Sequence, residues 1–164
     1  MAPQYSASLE NVQKLKDAGS FTAKVGTFES SADAGNANPI SIRGSSMNSP
    51  YQDSYAVYLA ESIKQELSLA GKLAPDAKLE ISGMLMKNDI NADIGTGHGN
   101  IEARFVIKKD GKVAYDQVKT ANTEWESSFV GAIAIPKAQQ EYSSLVKKLL
   151  VTLYADDAFL KALK

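Results

Sequence analysis

The stretch from Asn88 to Asn100 carries the residue types most able to do chemistry. Asp89, Asn91 and Asp93 fall on alternate positions, as do the hard oxygen ligands of a calcium loop. The rest of that pattern is missing. Ile94 stands where an EF-hand loop needs glycine, Asn100 replaces the bidentate glutamate, and strand-like sequence flanks the run. Gly95-Thr96-Gly97-His98-Gly99 has the glycine density of a phosphate loop. Such loops lead into a helix whose N-terminal amides face the anion. Here Ile101, Ala103, Phe105 and Ile107 alternate with polar residues as in a strand, and no Lys-Ser or Lys-Thr pair follows. The run is expected to be a flexible hairpin loop, with neither a metal nor a nucleotide.

Catalytic groups fare no better. His98 is the one histidine and there is no cysteine, so a His-rich metal site and thiol chemistry are excluded. A Ser–His–acid triad would have to use His98, and Ser45-Ser46 lacks the Gly-x-Ser-x-Gly elbow that exposes a nucleophile. Glu124 and Glu126 share a face of an expected strand, where charges that discourage edge pairing explain them more simply than glycoside hydrolysis. No catalytic set, metal site or cofactor is expected.

Binding is the remaining chemistry. Residues 29–50 are mostly Ser, Ala, Gly and Asn, interrupted by Ile40 and Ile42. This reads as a long surface loop that touches the sheet briefly, and loops of this length are commonly functional. Tyr51, Tyr55 and Tyr58 follow directly. Tyr55 is expected in the core. Arg43, Met47, Tyr51 and Tyr58 are the candidate recognition residues, since aromatics and arginine are enriched at binding hot spots, although ordinary packing is the simpler account of them.

The elements that would position these residues read clearly. Tyr55, Leu59, Ile63, Leu67 and Ala70 form one apolar stripe, predicting a helix over 51–70 with Ser49 at its start and Gly71 at its end. A strand is expected over 21–28, another over 79–86 and a third over 101–107. Asp110-Gly111 makes a tight hairpin to a returning strand that begins at Val113 and runs, with a bulge, towards Trp125. A second long helix is expected over 136–154, then a short one carrying Phe159, Leu160 and Leu163. The fold class is α+β: an antiparallel sheet of about four strands, two long helices packed on one face and a short C-terminal helix. Residues 1–20 are expected to form a flexible N-terminal arm, and 21–164 a single domain.

With 164 residues, 44% hydrophobic and 23% charged, the chain has the composition of an ordinary globular domain. A net charge of −1 leaves no electrostatic footprint for nucleic acid. No run approaches the roughly 18 apolar residues of a membrane-spanning helix. Met1-Ala2-Pro3-Gln4 lacks the basic and apolar regions of a signal peptide. Two locations stay open, a cytosolic protein and a mature segment behind a new initiator methionine.

From Tyr51 to Lys164 the order of elements and several short motifs resemble bacterial envelope lipoproteins of the uncharacterised YajG type. The motifs are the Tyr55–Ala70 helix, the Leu79–Met86 strand, Gly99-Asn100-Ile101, Lys109-Asp110-Gly111-Lys112, the Ala132–Tyr154 segment and Asp156-Asp157-Ala158-Phe159-Leu160. The resemblance implies a trimmed, mature, periplasmic domain, tethered to the outer membrane through a lipid-modified cysteine that this sequence does not contain. It carries over no catalytic residue. A non-catalytic domain that binds an envelope protein or glycan is the leading expectation, with unknown oligomeric state. An accessory to lipid or lipopolysaccharide transport and an enzyme acting on cell-wall material are the alternatives.

Overall fold

The computed structural model describes residues 1–32 and 35–164. In chain order the elements are α1 (Leu9–Asp17), β1 (Lys24–Ser30), β2 (Ile40–Ile42), β3 (Ser45–Met47), α2 (Tyr55–Leu69), β4 (Leu79–Asn91), β5 (Gly95–Lys109), β6 (Lys112–Ser127), α3 (Gly131–Tyr154) and α4 (Asp157–Ala162). The expected sheet of four strands, two long helices and short C-terminal helix are all present. Strand order is β1-β4-β5-β6, with β2 and β3 forming a separate hairpin. The meander β4–β5–β6 is antiparallel, whereas β1 pairs with β4 in parallel. That follows from the connection, because a strand that returns through a crossover helix such as α2 re-enters the sheet in the same direction.

Local chemistry sets the element ends. Ser54 caps α2 by accepting from the Val57 amide at 3.2 Å, so the helix begins at Tyr55 and not at Tyr51. Ser49 instead accepts from the Tyr51 amide at 3.1 Å within the preceding turn. Asp110 and Gly111 take φ of 53° and 80°, the paired left-handed conformation a two-residue hairpin needs. Asp156 caps α4, accepting from the Ala158 amide at 2.9 Å. Its carboxylate also takes the Lys119 ammonium at 2.8 Å and the Tyr115 hydroxyl at 2.7 Å. These bonds, Lys119 foremost, hold it down to about pKa 2 and tie the short helix to β6.

The glycine-rich run is a strand, which corrects the loop expected over 88–100. β4 continues to Asn91, the chain turns through residues 92–94, and β5 begins at Gly95. The glycines serve packing. A Cβ on Gly97 would lie 2.2 Å from the Trp125 indole on β6. On Gly99 it would meet Thr123, Ile90 and Leu145 of α3 at 2.8 to 3.2 Å. The ring covers the bare backbone and α3 settles close to the sheet.

Residues 1–18 lie packed on the domain and do not extend as the expected arm. Ala2, Tyr5, Val12 and Leu15 are buried, and α1 packs against both α2 and α3. The apolar spacing of Val12 and Leu15 gave α1 a face that had to be covered. Residues 33 and 34 of the expected 29–50 loop lie outside the described residues. The remainder of that loop contains the β2–β3 hairpin, with Ile40, Ile42 and Met47 buried.

Gly97→Ala is expected to cost about 1–3 kcal/mol by forcing the indole aside, measured by chemical denaturation. Trp125 is the sole tryptophan, so its emission should shift to the red as well. Gly131→Ala is the control, because a Cβ there meets nothing closer than 3.9 Å. Its stability should hold or rise slightly.

Candidate functional site

The four residues singled out for binding do not form an exposed patch. Met47 and Tyr58 are fully buried and Tyr51 is half-buried. The expectation fails because the β2–β3 hairpin packs on β4 with Met47 turned inward, its carbonyl held by the Tyr55 hydroxyl, while the N-terminal segment covers Tyr58. Tyr51 packs edge-on against Tyr58, with ring centroids 5.2 Å apart, and both belong to a larger cluster. Tyr55, Tyr58 and Tyr142 meet at 4.8 to 6.4 Å, and Tyr5 reaches Tyr58 at 6.3 Å.

Arg43 has another role. It sits with Gly44 at the hairpin tip, at φ of 48° and 80°. A non-glycine residue there is uncommon and needs a compensating interaction. The guanidinium supplies it. Nε donates to the Ala92 carbonyl at 2.7 Å, Nη1 to that of Phe129 at 3.2 Å, and Nη2 to the Ser128 carbonyl and to Ser127 Oγ. One side chain thus fastens together the hairpin, the β4–β5 turn and the β6–α3 junction.

Around that clamp four large apolar side chains are exposed. Phe129 is 77% exposed, Ile94 72%, Ile133 61% and Val130 39%. Gly95 pairs with Ser127, so Ile94 and Phe129 emerge from the same end of the sheet. Val130 and Ile133 lie at the start of α3 beside them. Other exposed large apolar side chains, such as Leu9, Leu69, Val113 and Val151, are dispersed over several elements. Sequence reasoning missed this cap. Its signal was Ile94 beside Asp93 in a tight turn, together with Phe129-Val130 at a strand-to-helix junction, where loops are usually polar.

The remaining sequence candidates separate. Asp89 and Asn91 lie along β4 opposite Asn100 and His98, while Asp93 belongs to the turn, its amide donating to Asn91 Oδ1 at 2.8 Å. Among the described residues no three acidic, histidine or cysteine side chains gather for a metal. His98 faces Glu124 across the open face of the sheet at 3.4 Å, and Glu126 pairs with Thr96 on the same edge strand.

A second unforeseen group is inside. Glu66 of α2 is fully buried, accepting from the Tyr5 hydroxyl and from Asn11 Nδ2 at 3.2 Å. Burial pushes its carboxyl up to about pKa 7, against the lowering effects of those hydrogen bonds and of Lys147. Its Oε2 and the buried Tyr154 hydroxyl are without a protein partner among the described residues. The helical spacing held a hint, since Glu66 follows Ile63 by three and precedes Ala70 by four on the core-facing stripe.

No protein-family model matches the chain, and no curated protein matches it. Solved structures do. A DUF330-family protein of Xanthomonas campestris aligns with 84% of this chain and 86% of its own, at 14% identity and a TM-score of 0.56. A hypothetical protein of Chlamydia trachomatis aligns over 88% of this chain and 99% of its own, at 10% identity and a TM-score of 0.57. A candidate lipoprotein of Caulobacter crescentus aligns over 93% and 96%, at 13% identity and a TM-score of 0.49. At these identities the first two show a shared fold, and the third is too distant to add to it.

Glu66 gives a pH dependence of defined sign. Its folded pKa lies above the ordinary 4.5, so the native state binds more protons than the unfolded chain across the interval. Stability should therefore fall as pH rises from about 4.5 to 7, by up to about 3 kcal/mol, and level off above. Glu66→Gln should flatten this profile in denaturation curves taken at several pH values.

Proposed function

We propose that this chain is the globular, non-catalytic part of a bacterial envelope lipoprotein, and that it binds an envelope protein through the cap of Ile94, Phe129, Val130 and Ile133. The observation that carries the binding reading is the cap: four large apolar side chains concentrated at one end and mounted on backbone that Arg43 fastens. Exposed apolar clusters on a rigid support mark contact surfaces, and aromatic anchors such as Phe129 dominate their energetics. A cap whose large exposed side chains are apolar suits a protein partner better than a glycan, whose hydroxyls call for convergent polar groups. The envelope part of the reading rests on the YajG-type motifs.

The alternatives draw less support. Lipid or lipopolysaccharide transport calls for an apolar groove between sheet and helices. That space is filled by Phe105, Ile107, Leu145 and Leu149, all fully buried. Catalysis calls for an accessible reactive group, and Glu66, with its raised pKa, is sealed from solvent.

Two measurements test the proposal. Metabolic labelling of the full-length gene product with a clickable fatty acid, followed by fractionation, should give a labelled envelope protein. Unlabelled cytosolic protein would contradict the envelope part. In the purified domain, Phe129→Ser with Ile133→Ser should leave folding stability within about 0.5 kcal/mol of wild type, as for exposed sites in general. The same change in cells should remove the protein from its detergent-solubilised envelope complex. An unchanged complex would contradict the cap as the contact surface.

A further inference from the structure

Residues 1–18 are held to the domain by the buried side chains of Ala2, Tyr5, Val12 and Leu15 and by a small set of polar contacts. The Ala2 amide donates to the Asn48 carbonyl at 2.8 Å, and the Tyr58 hydroxyl donates to the Pro3 carbonyl at 2.9 Å. The Tyr5 amide donates to the Tyr51 hydroxyl at 3.1 Å, and the Tyr5 hydroxyl to Glu66. Asn11 Nδ2 reaches both Glu66 and, at 3.4 Å, the Lys147 carbonyl. The segment adds no strand to the four-stranded sheet. It ends at Gly19, whose φ of 109° only glycine adopts readily and whose carbonyl accepts from the Lys72 ammonium before β1 begins.

We infer that residues 1–18 form a strap that swings away from α2 and α3 when Glu66 ionises, baring the tyrosine-lined groove beneath. In the closed state the carboxyl is out of water, and one of its oxygens has no protein partner. A proton makes that burial tolerable, while a full negative charge there demands hydration or a cation. The groups around it are Tyr5 on the strap, Glu10 and Lys14 of α1 at the rim of the cleft beside Asn11, and Lys147 and Tyr154 of α3. Lys147 lowers the carboxyl pKa only partly, and Glu10 and Lys14 offset one another at the exposed rim. Lifting the strap removes Tyr5 and Asn11 and admits water to both oxygens. With the closed-state carboxyl raised to about pKa 7, a rise in pH favours opening progressively up to about 7 and no further above it.

Amide hydrogen exchange on the whole chain, corrected for the intrinsic pH dependence of exchange, tests this. The opening equilibrium of α1 amides should rise about tenfold per pH unit between about 5 and 7 and then level off. Amides of Ile101 to Phe105 in β5, which open only with the whole domain, should stay far better protected than α1 at every pH, marking the α1 opening as local. Glu66→Gln should keep the strap closed throughout. Opening of wild-type α1 that ignores pH, or the same slope in Glu66→Gln, would overturn the inference. Should the Gln variant not fold, carbon-13 NMR of the wild-type Glu66 carboxyl decides. A titration midpoint that coincides with strap opening supports the mechanism, and titration under a strap that stays closed overturns it.

Discussion

Five tyrosine rings hold the irregular parts of this domain to its regular ones. Tyr5, Tyr51, Tyr55, Tyr58 and Tyr142 pack mostly edge to face, which suits their quadrupoles, and each hydroxyl is spent on a different tie. Tyr55 donates to the Met47 carbonyl on β3, Tyr58 to Pro3, and Tyr142 to Asn88 Oδ1 on β4. Tyr5 donates to Glu66, and Tyr51 accepts from the Tyr5 amide. The hairpin and the N-terminal segment have backbone groups that the four-stranded sheet cannot satisfy. Placing hydroxyls inside an apolar layer is economical only because each finds such a partner.

That arrangement reaches the surface through the hairpin. Its base is fixed to the hub by Tyr55, and its tip carries Arg43 to the far end of the sheet, where the guanidinium binds the β4–β5 turn and the β6–α3 junction together. An apolar cap on loose loops would pay an ordering cost on every encounter. One mounted on a clamped backbone presents Phe129 and Ile133 already placed. Arg43, which sequence alone suggested as a contact group, is thus the support of the apolar cap.

How much of this the sequence disclosed depended on whether the signal was local. The helical stripe of Tyr55, Leu59, Ile63 and Leu67, the Asp110-Gly111 hairpin and the alternation from Ile101 to Ile107 are periodic or turn signals, and they predicted their elements. The glycines at 97 and 99 misled because their cause is remote: Trp125 lies 28 residues away on the neighbouring strand, and Leu145 is on α3. Tyr58 and Met47 looked available because nothing nearby in sequence announces that the N-terminal segment covers the first or that the hairpin packs the second inward. Arg43 was noticed for the right reason of chemistry and the wrong one of exposure. Its partners are 49 and 84 to 86 residues away. Glu66 was hidden by the habit of reading a helical glutamate as solvated.

The most direct test of the hub removes one hydroxyl and follows where the loss travels. Native-state hydrogen exchange of Tyr55→Phe should show faster opening in residues 40–47. The effect should continue at the amides of the β4–β5 turn and of residues 128–131, which depend on the hairpin through Arg43, while β5 amides from Ile101 to Phe105 keep their protection. Acceleration confined to the immediate neighbours of Met47, or spread evenly over the whole sheet, would contradict the view that the tyrosines hold the hairpin and the hairpin holds the cap.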